Sequence, residues 1–144
     1  FLWRHGYRRP PGWRAVGLPQ GKAPMARMDI VAVDGARVLR LQTDASYGTW
    51  VHATGAWTPG ADSTLQWRWR LEQPLAKVDL RRKEGDDAAL KVCVMYNMPL
   101  TGIPFVERNM LRLARSVSGE ALPSATVCYV WDTTQAPGAD LANT

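Results

Sequence analysis

Apolar and polar positions alternate without a break in Leu65-Gln66-Trp67-Arg68-Trp69-Arg70-Leu71. In an extended chain Leu65, Trp67, Trp69 and Leu71 share one face, and Gln66, Arg68 and Arg70 share the other. A helix would scatter the two tryptophans, so the period predicts a half-buried β-strand. Residues 28–33 and 36–43 are strand-like runs around Asp34-Gly35, a two-residue hairpin signal. Residues 46–53 read as another strand. Residues 88–96 are apolar at almost every position, the mark of a strand covered on both faces. Residues 126–131 form a last strand. Residues 105–118 predict the single good helix, with Phe105, Leu111, Ala114 and Val117 near one stripe and Met110 and Leu113 at its edge. Glu107, Arg108, Arg112 and Arg115 lie mostly opposite, Gly119 stops the helix, and Pro123 prevents its resumption. About six short strands and one inserted helix predict a mainly β fold, an antiparallel β-sandwich of jelly-roll type.

Charge changes this picture at one end. Residues 1–28 hold six basic side chains and no acid, while the remainder carries 12 basic and 13 acidic groups, a net of −1. The net charge of +5 therefore belongs to an irregular Pro/Gly-rich arm over residues 1–24, followed by the β domain over residues 25–144. A nucleic-acid binder carries its basic stripe on the folded body, so nucleic acid is not expected as a partner. Within the arm, Trp3, Arg4, Arg8, Arg9 and Trp13 mix aromatic and guanidinium groups. That mixture suits a lipid headgroup layer or a partner surface, and an arm packed on the domain is the simpler alternative. No run reaches the ~18 apolar residues of a membrane span.

Candidate chemistry is sparse. Trp67 and Trp69 lie ~7 Å apart along a strand, close enough to stack successive sugar rings if exposed, with Trp50 and Trp57 as further stacking candidates. Leu65 and Leu71 share the tryptophan face, which favours a core role instead. Gly85-Asp86-Asp87 could supply hard oxygen ligands for Ca²⁺, but that ion needs ~6–8 oxygens, so loop acids such as Asp62 or Asp132 would have to contribute. The bland alternative is a turn acid paired with Arg68 or Arg70. Asp86 or Asp87 with Glu72 or Glu84 could act as an acid–base pair on a glycan, although their spacing does not single them out. No catalytic residue is nominated. With only His5 and His52 and no Cys-x-x-Cys, zinc is not expected. Cys93 and Cys128 could bridge if their strands are neighbours in register. The geometry such a bridge demands favours two buried thiols.

Three stretches together resemble an uncharacterised family of bacterial exported proteins, domain of unknown function 3047. They are Leu65-Gln66-Trp67-Arg68-Trp69, then Lys83-Glu84-Gly85-Asp86-Asp87-Ala88-Ala89, and then Arg112-Leu113-Ala114-Arg115, Gly119-Glu120-Ala121-Leu122-Pro123 and Cys128-Tyr129-Val130-Trp131. The resemblance runs from about Trp13 to Trp131. It implies a β-sandwich and an exported, periplasmic location, and it implies no reaction. The family's domain continues with further strands, so the resemblance also implies that the C-terminal part of the domain is missing here.

The expected function is a non-catalytic accessory or interaction subunit, partnered by a protein of a membrane-associated complex and without a cofactor. Arginine makes up 14 of the 18 basic residues, and arginine is the better side chain for pairing at interfaces. A carbohydrate-binding module and a carboxylate-dependent glycan hydrolase are the alternatives.

Overall fold

The computed structural model describes residues 9–76, 80–81, 88–118 and 122–141. The chain divides into two compact units, Phe1–Thr64 and Leu65–Thr144. The fold is mainly β, with three antiparallel two-stranded sheets and one α-helix among the described residues.

In the first unit β2 (Arg27–Val33) and β3 (Ala36–Gln42) form the predicted hairpin, paired from Arg27↔Gln42 to Val33↔Ala36. Asp34 and Gly35 close it with φ of 50° and 79°. Both central residues are left-handed, as a tight hairpin turn requires, and aspartate and glycine tolerate that region best. Ala26, Met28 and Ile30 are the buried apolar residues. Ala26 donates its N–H to the Tyr47 carbonyl at 2.9 Å, and Tyr47 donates to the Pro24 carbonyl at 2.9 Å. This pins the start of β2 beside Gly48, where a Cβ would collide with the Met28 side chain and come within 3.1 Å of the Ala26 Cβ.

A second sheet pairs β1 (Trp13–Val16) with β4 (Thr49–His52) from Trp13↔His52 to Val16↔Thr49. The arm read as irregular over residues 1–24 therefore contains a strand. Four residues are too few to show a period, and the partner that gives them a ladder lies more than 30 positions away in sequence.

In the second unit β5 (Lys91–Tyr96) pairs with β6 (Ala125–Val130). Trp131 donates its N–H to the Leu90 carbonyl at 2.9 Å. Counting along the ladder from that hydrogen-bonded pair places Cys93 opposite Cys128 at a non-hydrogen-bonded position, where opposing backbones come closest. Their Cα atoms are 4.1 Å apart and the sulfurs are joined. The expectation of two buried thiols is corrected by this register, which the strand sequences alone do not specify. Helix α1 (Phe105–Ser118) occupies the predicted span, inside the loop between β5 and β6.

Two strand expectations change. Residues 65–71 form no strand, yet burial alternates from Gln66 onward: Trp67, Trp69 and Leu71 are half-buried while Gln66, Arg68 and Arg70 are exposed, and Leu65, expected on the inner face, is exposed as well. The period sets where side chains point, whereas a ladder needs a neighbouring backbone in register. Residues 88–96 are not covered on both faces, since Val92, Cys93 and Val94 are half-buried and Lys91 and Met95 are exposed.

Asp29 lies directly opposite Arg40 in the β2–β3 ladder. Its carboxylate accepts two hydrogen bonds from the guanidinium, at 2.9 Å from Nε and 2.5 Å from Nη2, with Arg27 3.7 Å away. The Arg40 hydrogen bonds hold the Asp29 carboxyl below its ordinary value of 3.8 against the opposing cost of burial, and the charges of Arg40 and Arg27 add to the shift. The pair's stabilisation is thus fully present above the unfolded value near 3.8 and is lost as pH falls through the lower folded value. Asp29→Asn is expected to cost about 1–3 kcal/mol at pH 7. In urea melts the gap between wild type and variant should close as the pH is taken below that range, and a gap independent of pH would exclude the pair as its source. The disulfide closes a loop of sequence separation 35. Chain-entropy reasoning puts its contribution at about 4 kcal/mol, so Cys93→Ser/Cys128→Ser should lower the stability of the second unit by an amount of that order while the β2–β3 unit melts as before.

Candidate interaction surface

Trp67 and Trp69 pack with their own unit. Trp67 stacks on Tyr129 with ring centroids 4.8 Å apart, and Trp69 meets Trp131 edge-on at 5.7 Å. The partners advance together, 67 to 129 and 69 to 131, so the extended segment runs alongside β6 in the same direction and is held by rings. The two tryptophans are 5.6 Å apart with planes 77° to each other. Rings at that angle do not offer one flat face to a sugar. The arrangement suits packing, and an open depression lined by Leu65, Gln66, Trp67 and Arg68 lies beside it.

The remaining stacking candidates belong to the first unit. Trp50 lies 6.0 Å from Trp13, and Trp13 lies 5.1 Å from His52, across the β1–β4 ladder. The Trp50 indole N–H is buried and has no hydrogen-bond partner among the described residues. Trp57 is 60% exposed. On the polar face of the 65–71 segment, Arg68 and Arg70 are exposed, and Arg70 donates to Glu72 at 2.7 Å. The carboxylates expected to meet these arginines, Asp86 and Asp87, lie outside the described residues, as do Trp3, Arg4 and Arg8 of the arm. Arg9 is described and exposed. Among the described residues no group of three or more His, Cys, Asp or Glu could hold a metal ion. Asp132 is engaged locally, accepting the Thr134 N–H at 2.9 Å.

Helix α1 carries the feature that the sequence reading placed differently. Of the stripe predicted at Phe105, Leu111, Ala114 and Val117, Leu111 is half-buried and Phe105 and Ala114 are exposed, while Val117 lies outside the residues whose side chains are described. Phe105, Val106, Met110 and Leu113 are 69%, 67%, 66% and 65% exposed. The half-buried positions are Arg108, Leu111 and Arg115, which recur at helical spacing on the opposite side. Arg115 explains the inversion. Its guanidinium donates to the Leu122 carbonyl at 2.9 Å from Nε and 2.5 Å from Nη2, and reaches Asn97 Oδ1 at 3.5 Å. It therefore satisfies loop carbonyls that an apolar side chain would leave unpaired. Arg108 also turns its Nε inward, where it is buried. Val106, Met110 and Leu113 stand at i, i+4 and i+7; Met110 and Leu113 are the edge residues of the predicted stripe, and Val106 is the residue that sequence reasoning missed. Their spacing is legible in the sequence, and the side they face is not.

The family described as "Protein of unknown function (DUF3047)" matches residues 11–144. The chain belongs to the DUF3047 family. No curated protein and no solved structure matches it. Membership supports the resemblance carried by the Trp67–Trp69, Gly85–Asp87 and Cys128–Trp131 stretches, and it assigns no activity to this DUF3047 chain. No described helix is long and apolar enough to cross a membrane.

The tryptophan geometry predicts the solvent response. Iodide should quench a minor fraction of the indole fluorescence, and Trp57→Phe should remove most of that fraction. Quenching that is lost with Trp67→Phe or Trp69→Phe instead would restore the sugar-platform reading.

Proposed function

We propose that this chain is a non-catalytic exported β-sandwich that serves as an accessory or interaction subunit at the periplasmic face of a membrane or envelope complex. The outward apolar stripe of α1 carries this reading. A 14-residue helix that turns Phe105, Val106, Met110 and Leu113 to solvent is suited to an apolar groove on another protein, read through anchors at i, i+4 and i+7. The disulfide supports an oxidising compartment, because such bonds rarely persist in a reducing cytosol. The β5–β6 hairpin leaves Val127 and Tyr129 exposed on one face, which supports the sandwich, since an apolar sheet face is stable when stacked on another layer. The basic aromatic arm, with Arg9 and Trp13 at its end, adds contact with lipid headgroups.

The test is copurification from detergent-solubilised membranes of the protein's own cells. The tagged chain should retain one membrane-associated partner at constant stoichiometry. Val106→Ser/Met110→Ser/Leu113→Ser should weaken that retention at least tenfold with unchanged circular dichroism, because three apolar anchors of ~1 kcal/mol or more each are removed. Equal retention by the triple variant, or a wild-type chain recovered without a partner, would rule the reading out.

A further inference from the structure

We propose that the Cys93–Cys128 disulfide is a solvent-accessible redox clamp at the foot of the loop that carries α1, opened by an external dithiol while the rest of the chain stays folded. The two cysteines share a sheet face with Lys91, Met95, Thr126 and Val130, because residues alternate faces along each strand. On that face Cys128, Lys91, Met95 and Thr126 are exposed and Cys93 is half-buried. The aromatic packing of Trp67 on Tyr129 and Trp69 on Trp131 lies on the opposite face. A thiolate can therefore reach the Cys128 sulfur without displacing the rings, and the exposed Lys91 ammonium favours its approach.

The chemistry balances with a dithiol as reductant. One thiolate attacks Cys128 Sγ and forms a mixed disulfide. The Cys93–Cys128 bond breaks, and its electron pair leaves on Cys93 Sγ, which takes up a proton. The second thiol of the reductant, as thiolate, then attacks its own sulfur in the mixed disulfide and releases Cys128, which is protonated in turn. Two electrons and two protons pass to the cysteine pair, and the dithiol becomes a disulfide.

The described side-chain hydrogen bonds that hold the helix and the feet of its loop are internal to the closed loop. Arg115 binds Leu122 and Asn97, and Ser124 accepts the Met98 N–H at 2.6 Å and donates its own N–H to the Tyr96 carbonyl at 2.8 Å. These partners all lie between Cys93 and Cys128 in sequence, and the ladder pairs Val94↔Val127, Met95↔Thr126 and Tyr96↔Ala125 join the feet of the loop beside the disulfide. Reduction leaves those feet held by a two-stranded hairpin alone, which is marginal in water, and loosens α1. The regulatory meaning rests on the docking role of α1 proposed above: the oxidised chain presents the apolar stripe, and the reduced chain presents it less.

The oxidised full chain is treated with dithiothreitol in non-denaturing buffer, alkylated and weighed intact, and amide exchange is followed by mass spectrometry. Two alkyl groups should be incorporated at a rate that low urea does not change. Exchange over residues 105–118 should rise at least tenfold, while residues 27–42 stay as protected as before. Cys93→Ser/Cys128→Ser should reproduce the reduced pattern without any reductant. Thiols that emerge only through the unfolding transition, or α1 exchange unmoved by reduction, or residues 27–42 losing protection together with α1, would overturn the clamp. The oxidised chain is also taken through the copurification assay. Its failure there would sink the docking role alone and leave the clamp to be decided by the exchange data.

Discussion

The bond between Cys93 and Cys128 holds a unit that has little else to hold it. Among the described residues, the buried ones are Ala26, Met28, Asp29 and Ile30, all in the first unit. Among its described residues the second unit relies on a six-pair ladder, three ring pairs and the disulfide. A lone two-stranded hairpin is marginal in water, and small units without a sufficient core depend on covalent staples. The staple works through the unfolded chain, where it removes the freedom of the loop that contains α1. The position of α1 depends on that closure, whereas the ring pairs of Tyr129 and Trp131 lie outside the closed loop.

The first unit reaches order by a different balance. Its apolar core is small, and the ion pair of Asp29 with Arg40 sits next to it in the same hairpin. A buried carboxylate costs several kcal/mol when unpaired. Here two charge-assisted hydrogen bonds from a directly opposed arginine offset that cost and bind the strands in one register. A slip of one residue would separate the pair and turn Met28 and Ile30 away from Gly48, so polar and apolar requirements select the same alignment.

Helix α1 shows how burial can run against amphipathic expectation. Arg115 faces its own unit because that side offers the Leu122 carbonyl, which demands a donor. The apolar stripe of the helix is left outward. A helix in this state is either incomplete or an interaction element, and the docking role follows from the second option.

Several features were legible in the sequence because they are local. The β2–β3 hairpin follows from Asp34-Gly35 between two apolar runs, and the span of α1 from its 3.6-residue period and its flanking Gly119 and Pro123. The alternate pointing of side chains through Trp67 and Trp69 needs nothing beyond an extended backbone. Strand β1 was missed because four residues carry no period and its partner is remote. The ladder expected at residues 65–71 was absent because alternation fixes side-chain direction without supplying a neighbour. Element type and turn chemistry are readable from the amino-acid order alone, because they are set by residues within a turn or strand of one another, and DUF3047 membership is readable from the order of several such stretches. The tertiary structure alone decided that Cys93 faces Cys128, that Trp67 and Trp69 meet Tyr129 and Trp131, and that α1 turns Val106, Met110 and Leu113 to solvent. These depend on register and on which groups a neighbouring segment leaves unsatisfied, and both are properties of chain segments brought together from far apart.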